Sequence, residues 1–214
     1  MRNPLDLLKK DWNKPETNFE KFGQSELQSL VHRRSSNIVK WLFYISIAEL
    51  IFWPLVSMFS PKENWLLFEQ LNLIPAIWTI NVIHYVVILY FIYRFYKNYQ
   101  SIKATDSVFD FMNNIVRTRK TVKYYVIYNL TVMGLIFLFF NIEYFFNQEV
   151  ILTFMEKSYG KISDPAKFMK YFFIAQIVIG VVFLLLLWLF YKLIYGILLR
   201  RLNKNYKEMK KMVD

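Results

Sequence analysis

The chain has 214 residues, with 27 Lys and Arg against 16 Asp and Glu, 56% apolar and 20% aromatic residues, two His, five Gly and no Cys. Apolar content above the roughly 45–50% of soluble domains, gathered into unbroken blocks, excludes an ordinary water-soluble domain. The lack of cysteine excludes disulfides, thiolate metal ligands and a cysteine nucleophile. Two widely separated histidines leave no multi-histidine centre, so neither a metal nor a cofactor is expected.

In chain order, Asn3-Pro4-Leu5-Asp6 reads as an N-cap, an N1 proline and a first-turn acid, opening a short amphipathic helix with Leu5, Leu8 and Trp12 on one face. After Pro15 a second helical stretch presents Leu27, Leu30 and Val31, completing an arm over residues 1–40. A span needs about 20 apolar residues to cross roughly 30 Å of hydrocarbon. Four stretches meet that length, at about residues 41–59, 73–93, 124–146 and 171–191, within a membrane domain of residues 41–199. Runs such as 181–187 are apolar at every position, which disfavours the alternating pattern of barrel strands. No small-residue cleavage pattern follows the first stretch, so it is expected to persist as a span. The expected fold is an all-α polytopic membrane protein with four transmembrane helices and long cytoplasmic helical extensions.

The connections on one side are short. Ser60-Pro61-Lys62-Glu63 has the pattern of a capping box, opening a small helix with Trp65, Leu66 and Phe68. Asp164-Pro165 starts the fourth long helix before it enters lipid. On the other side nothing stops the spans from continuing. No Pro or Gly lies between Ala76 and Met133, which predicts a helical hairpin over residues 94–123 turning near Ala104 to Asp106, with Asp106 capping the helix after the turn. Val108, Met112, Ile115 and Val122 form a stripe interrupted at Arg119, and Leu199, Leu202, Tyr206, Met209 and Val213 form a heptad seam that reaches a C-terminal helix over 200–214.

Charge sets the orientation. The arm, the 94–123 hairpin and the segment from Lys192 onward carry 22 of the 27 basic residues, and the opposite side carries five. Loop Lys and Arg favour the cytoplasm, which predicts that both termini and the middle loop lie inside. Trp41, Tyr90, Tyr93, Tyr124, Tyr125, Tyr191 and Tyr195 mark the inner boundary, where amphipathic rings favour the interface. The basic runs at Arg117 to Lys123 and Arg200 to Lys211 follow from this rule, with anionic head groups as their nearest partners, so no nucleic acid is expected.

Glu49 lies near the middle of the first span, where an acid costs roughly 2.5–3.5 kcal/mol on insertion scales and so should face the bundle interior. His84 is at comparable depth in the second span with Asn81 one turn before it, and the three could form one hydrogen-bonded cluster across two helices. Such a cluster relays protons or binds a cation; equally, Glu49 bonded to His84 or Asn81 simply holds two helices together, at about 0.6 kcal/mol. The second role carries more weight, because a proton path needs more polar stations and the fourth span has none between Ile177 and Leu189. Pro54 frees a carbonyl near Leu50 and should kink the first helix beside Glu49. Asn129, Asn141, Glu143 and Gln176 read as contact or interfacial residues, and His32 has no ligand spacing around it.

The opening Leu7-Leu8-Lys9-Lys10-Asp11-Trp12, followed by four spans and a charged arm, resembles a group of small uncharacterised bacterial membrane proteins that begin with a Leu-Leu-Lys-x-x-Trp-like helix. Some of that group are labelled β-carotene monooxygenase, and others accompany sigma-factor genes, which implies a membrane-held, anti-sigma-like role. The oxygenase label implies iron held by four histidines, whereas this chain has His32 and His84 alone. The leading expectation is a non-enzymatic membrane-anchored protein whose cytoplasmic helices dock a cytoplasmic or membrane protein partner through Leu5, Leu8 and Trp12, by helix-in-groove recognition. The alternatives are a small transporter or membrane enzyme using Glu49 and His84, or a structural subunit of a larger assembly, including a homo-oligomer.

Overall fold

The computed structural model describes residues 23–105 and 107–211. Within them the chain forms six helices and no strand: α1 (Gln24–Met58), α2 (Lys62–Gln70), α3 (Ile74–Lys103), α4 (Val108–Phe146), α5 (Gln148–Tyr159) and α6 (Pro165–Lys211). The helices α1, α3, α4 and α6 contain the four apolar stretches, and only 6–11% of each one's most apolar window is buried inside the protein. The outward side chains are ones water would penalise, such as Ile179 at 68% and Leu186 at 59% exposure. Hydrocarbon is the solvent that accommodates them, and the protein is an all-α, multi-pass membrane protein.

The four long helices pack in sequence order around a ring. α1 lies against α3, α3 against α4, α4 against α6 and α6 back against α1, which is the up-down-up-down arrangement short connections impose. At 1.5 Å per residue, the 47-residue α6 is about 70 Å long, more than twice the hydrocarbon thickness. The excess lies at the end that carries the α3–α4 turn, the start of α1 and the tail of α6, called here the basic end. α2 and α5 pack together across the opposite end, on a cluster around Leu67, Leu71, Leu73, Ile151 and Met169.

Beyond the spans, the extensions bury their stripes in each other. Val31 and Val39 of α1, Ile102 of α3, Phe111 and Ile115 of α4, and Leu202 and Met209 of α6 make one buried cluster, with Val108, Met112 and Tyr206 packed against it. Several expected positions shift. Leu27 is exposed, while Ser35 and Ser46 take buried positions on α1 beside Val31, Val39 and Leu42. Thr118 and Asn205 likewise enter the seams of α4 and α6, and Asn205 donates to the Ser35 hydroxyl at 2.9 Å. Small polar side chains fit a seam where two helices approach closely, provided each finds an acceptor or donor.

The helix ends are also specific. Asp164 caps α6 as expected, its carboxylate accepting from the Lys167 backbone N–H at 3.0 Å. The capping box expected at Ser60 does not form. Pro61 holds the cap position of α2 with no side-chain cap bond, and the Ser60 hydroxyl instead accepts from the Asn64 amide at 3.3 Å. Proline in the cap position displaces serine by one residue from the place where its oxygen reaches the orphan N–H groups. Between α3 and α4 the chain turns at Ala104 and Thr105 as expected, whereas the cap expected from Asp106 lies outside the described residues. α2 ends in a Schellman motif: Leu73 N–H bonds Phe68 C=O, Asn72 N–H bonds Glu69 C=O, and Asn72 adopts φ 53°.

Candidate functional site

The interior between the four long helices is packed at the basic end and hollow beyond it. A central layer of Leu42, Ile88, Phe95, Val122, Tyr125, Tyr191 and Tyr195 is buried, and Glu49 sits on it. Farther from the basic end no residue is buried on α1 after Ser46, on α3 before Ile88, on α4 after Tyr125, or on α6 between Gly180 and Tyr191. Between those stretches lies a chamber of about 520 Å³ walled by all four long helices, with Trp65 of α2 at its rim.

Glu49 is held from below. Tyr125 on α4 and Tyr195 on α6 both donate their phenol hydroxyls to its carboxylate, Tyr195 at 3.1 Å. Among the described residues no Lys, Arg or His forms an ion pair with it. Hydrogen bonds to a charged group contribute roughly 1.5–3 kcal/mol each, so two phenols can offset the roughly 2.5–3.5 kcal/mol that a carboxylate costs in the membrane. Tyr191 packs on both rings, with centroids 6.5 Å from Tyr125 and 5.7 Å from Tyr195.

His84 lies above Glu49. Its ring stacks on Tyr128 at 5.8 Å and 11°, and its Nδ1 is 3.4 Å from the Tyr128 hydroxyl. Between Glu49 and His84 is a second space of only about 10 Å³, lined also by Tyr125 and Asn129, which is close to the minimum for one water. Trp53, His84, Tyr85 and Asn129 border both spaces, so the small gap lies between the chamber and the carboxylate.

The expected hydrogen-bonded cluster of Glu49, Asn81 and His84 is replaced by a different arrangement. Asn81 donates to the Ile77 carbonyl of its own helix at 2.9 Å, and neither it nor His84 bonds Glu49. The three residues surround neighbouring spaces instead: Asn81 and His84 in the chamber wall, His84 and Glu49 at the gap. Glu49 also sits lower than expected, tied to the rings assigned to the inner boundary, because α1 runs unbroken from Gln24 and the start of its apolar block does not fix where lipid begins. Pro54, within α1, borders the chamber.

Sequence reasoning missed Tyr125, Tyr195 and Asn129 as members of the site. A signal for the first was present: Phe111, Ile115, Thr118, Val122 and Tyr125 fall at helical 4-3-4-3 spacing and are all buried. The docking face of Leu5, Leu8 and Trp12 lies outside the described residues. The stripes on the extensions of α1, α4 and α6 cover one another, so their burial requires no partner.

Among families, the model described as Domain of unknown function (DUF8845) matches residues 25–214, and the chain belongs to that family. No curated protein and no solved structure matches it.

Proposed function

We propose that this protein is a small transporter that takes a lipophilic organic cation into the chamber between its four spans, with Glu49 as the counter-charge and proton-handling group beneath. The observation that carries this reading is the hollow itself, closed toward the basic end by the aromatic layer and walled above it by aromatic side chains. Its volume falls within the roughly 300–1,000 Å³ of small-molecule sites, and it has the usual composition of such sites: apolar walls with a few convergent polar groups, here Asn81, His84 and Asn129. Trp53, Trp65 and Trp78 line it and no Lys or Arg does. Tryptophan is the best cation–π acceptor, and the Glu49 carboxylate, across the small gap beneath the chamber, adds the matching charge. A site between the spans that is sealed by packing toward one face is what one half of an alternating-access cycle requires.

The orientation that accompanies this reading puts the basic end in the cytoplasm, supported by the 22 of 27 cations on that side. The resemblance of the opening residues supports a bacterial inner membrane. Docking of a protein through Leu5, Leu8 and Trp12 is compatible with this reading, since those residues precede the bundle in the chain.

The test uses the chamber tryptophans as reporters. The full chain in lipid nanodiscs is titrated with tetraphenylphosphonium while tryptophan fluorescence is followed. Saturable quenching is expected, weakened about tenfold or more in Glu49→Gln and in Trp53→Leu/Trp78→Leu. Quenching that never saturates, or identical titrations for wild type and Glu49→Gln, would overturn the proposal.

A further inference from the structure

A second cavity lies on the outside of the bundle, along the junction of α4 and α6, and has about 630 Å³ of space. Five cations line it: Arg119, Lys120 and Lys123 from α4, and Lys192 and Arg200 from α6. No carboxylate does. The one ion pair among the described residues, Lys204 with Glu208 at 3.8 Å, lies farther along the α6 tail and neutralises none of the five.

The groove is graded along the bundle. Arg119, Lys120 and Arg200 occupy the end toward the tail, and Val126, Ile127 and Trp188 occupy the end inside the apolar stretches. Gly196 keeps the middle open, since a Cβ built on it would meet nothing within 4 Å. Two of the cations are held in place. The Arg119 guanidinium donates to the Asn203 amide oxygen at 2.9 Å, and the Lys192 ammonium lies 4.4 Å from the centroid of the Trp188 ring.

From this gradient we infer a binding site for one anionic phospholipid, its phosphate among Arg119, Lys123 and Arg200 and an acyl chain laid along Gly196 toward Trp188 and Ile127. The argument is charge complementarity combined with direction. Five neighbouring cations without an acidic partner repel one another until an anion sits among them. An anion that continues into an apolar trough parallel to the spans has the shape of a phospholipid at the level where head group meets hydrocarbon. A soluble phosphate would satisfy the cations and leave the trough uncovered. Tyr191 borders both this groove and the chamber, so an occupied groove packs directly behind the aromatic layer that holds Glu49.

The test is native mass spectrometry of the full chain after equilibration with mixed phosphatidylglycerol and phosphatidylcholine, with circular dichroism confirming helix content for every variant. Wild type is expected to retain one phosphatidylglycerol in preference to phosphatidylcholine. Arg119→Gln/Lys123→Gln/Arg200→Gln should weaken that retention about tenfold or more, whereas Lys207→Gln/Lys210→Gln/Lys211→Gln, equal in charge removed but outside the groove, should stay within about twofold of wild type. Should the first triple variant fail to fold, Gly196→Leu keeps every charge, fills the trough and should lose the lipid. Equal loss in both triple variants would reduce the effect to general surface charge and overturn the site. Full competition by glycerophosphoglycerol or inorganic phosphate would assign the groove to a soluble anion and overturn the lipid. Undiminished retention in Gly196→Leu would remove the trough from the account.

Discussion

Two polar contacts at opposite depths show how single residues hold this bundle. In the basic extension, Asn205 and Ser35 are both buried and bonded to each other, and neither has bulk water to fall back on. Replacing Asn205 by Ala leaves the serine without its partner and opens a small void, and should lower unfolding free energy by about 1–3 kcal/mol. Replacing both, as Asn205→Leu/Ser35→Ala, removes the desolvated dipoles together and should recover most of that loss in thermal denaturation in detergent. Recovery of none would mean that the pair sets helix register as well as filling space. In the aromatic layer beneath the chamber, Tyr125→Phe and Tyr195→Phe each remove one donor from Glu49. Each should cost about 1 kcal/mol, between the roughly 0.6 of an average interhelical bond in a membrane and the roughly 1.5–3 of a bond to a charged group. The double variant should lose more than the sum, because the second deletion strands the carboxylate; an additive result would show that the two hydroxyls act independently.

Helices supply the next scale, and here the sequence is legible to unequal degrees. Continuous apolar length names the four spanning helices, because hydrocarbon requires backbone groups to be paired internally, an unbroken apolar run does not suit a barrel strand, and 20 residues is a geometric requirement. The absence of Pro and Gly from Ala76 to Met133 likewise predicts that α3 and α4 outrun the membrane, which they do. What composition hides is azimuth. Tyr125 and Tyr195 have the same chemistry as the exposed Tyr124 and Tyr93, and a tyrosine ring suits an interface and a wet-tipped core equally well. Ser35, Thr118 and Asn205 escape an apolar-stripe search because their seam positions are filled by size and hydrogen bonding. The chamber was illegible for a related reason: its walls are apolar, and nothing in a run of Trp, Ile and Leu says that the facing run stands too far away to touch. One close approach is specific enough to test. A Cβ on Gly180 would lie 2.2 Å from the Phe137 ring, so α4 and α6 meet there through a ring seated on a glycine. Gly180→Ala should destabilise by about 1–3 kcal/mol through overpacking, and Gly180→Ala/Phe137→Leu should restore part of it; an unchanged melting temperature in the single variant would show that the ring swings aside freely. At the end of α2, Asn72 holds a left-handed conformation, so Asn72→Gly should be tolerated whereas Asn72→Val should cost about 1–2 kcal/mol by the same melting assay.

Taken whole, the molecule is asymmetric along its axis, and the two ends suit different solvents. The basic extension has a packed interior cross-linked by Asn98 with Thr121, Asn205 with Ser35 and Arg119 with Asn203, as a helical bundle in water requires. Across the other end, α2 and α5 form a lid of short helices over a half-empty bundle, with Trp65 at the chamber rim. Four crossings place the α3–α4 turn and the tail of α6 at one end and Gly160 at the other, so the side toward which the chamber lies follows from the side on which Gly160 lies. The chain contains no cysteine, which makes single-cysteine mapping direct. In intact cells, a membrane-impermeant maleimide should label Gly160→Cys and leave Ala104→Cys and Lys211→Cys untouched, and permeabilisation should expose the latter two. Asn81→Cys should react from the same side as Gly160→Cys, more slowly and with protection by tetraphenylphosphonium, because it lines the chamber beneath Trp65 of α2. Labelling of Ala104→Cys before permeabilisation would invert the molecule and turn the chamber toward the cytoplasm, and the proposed carrier would then take up its cation from inside. Labelling of Asn81→Cys from neither side would show that the hollow is filled by lipid tails, which would remove the aqueous half of the transport cycle while leaving the four-helix architecture intact.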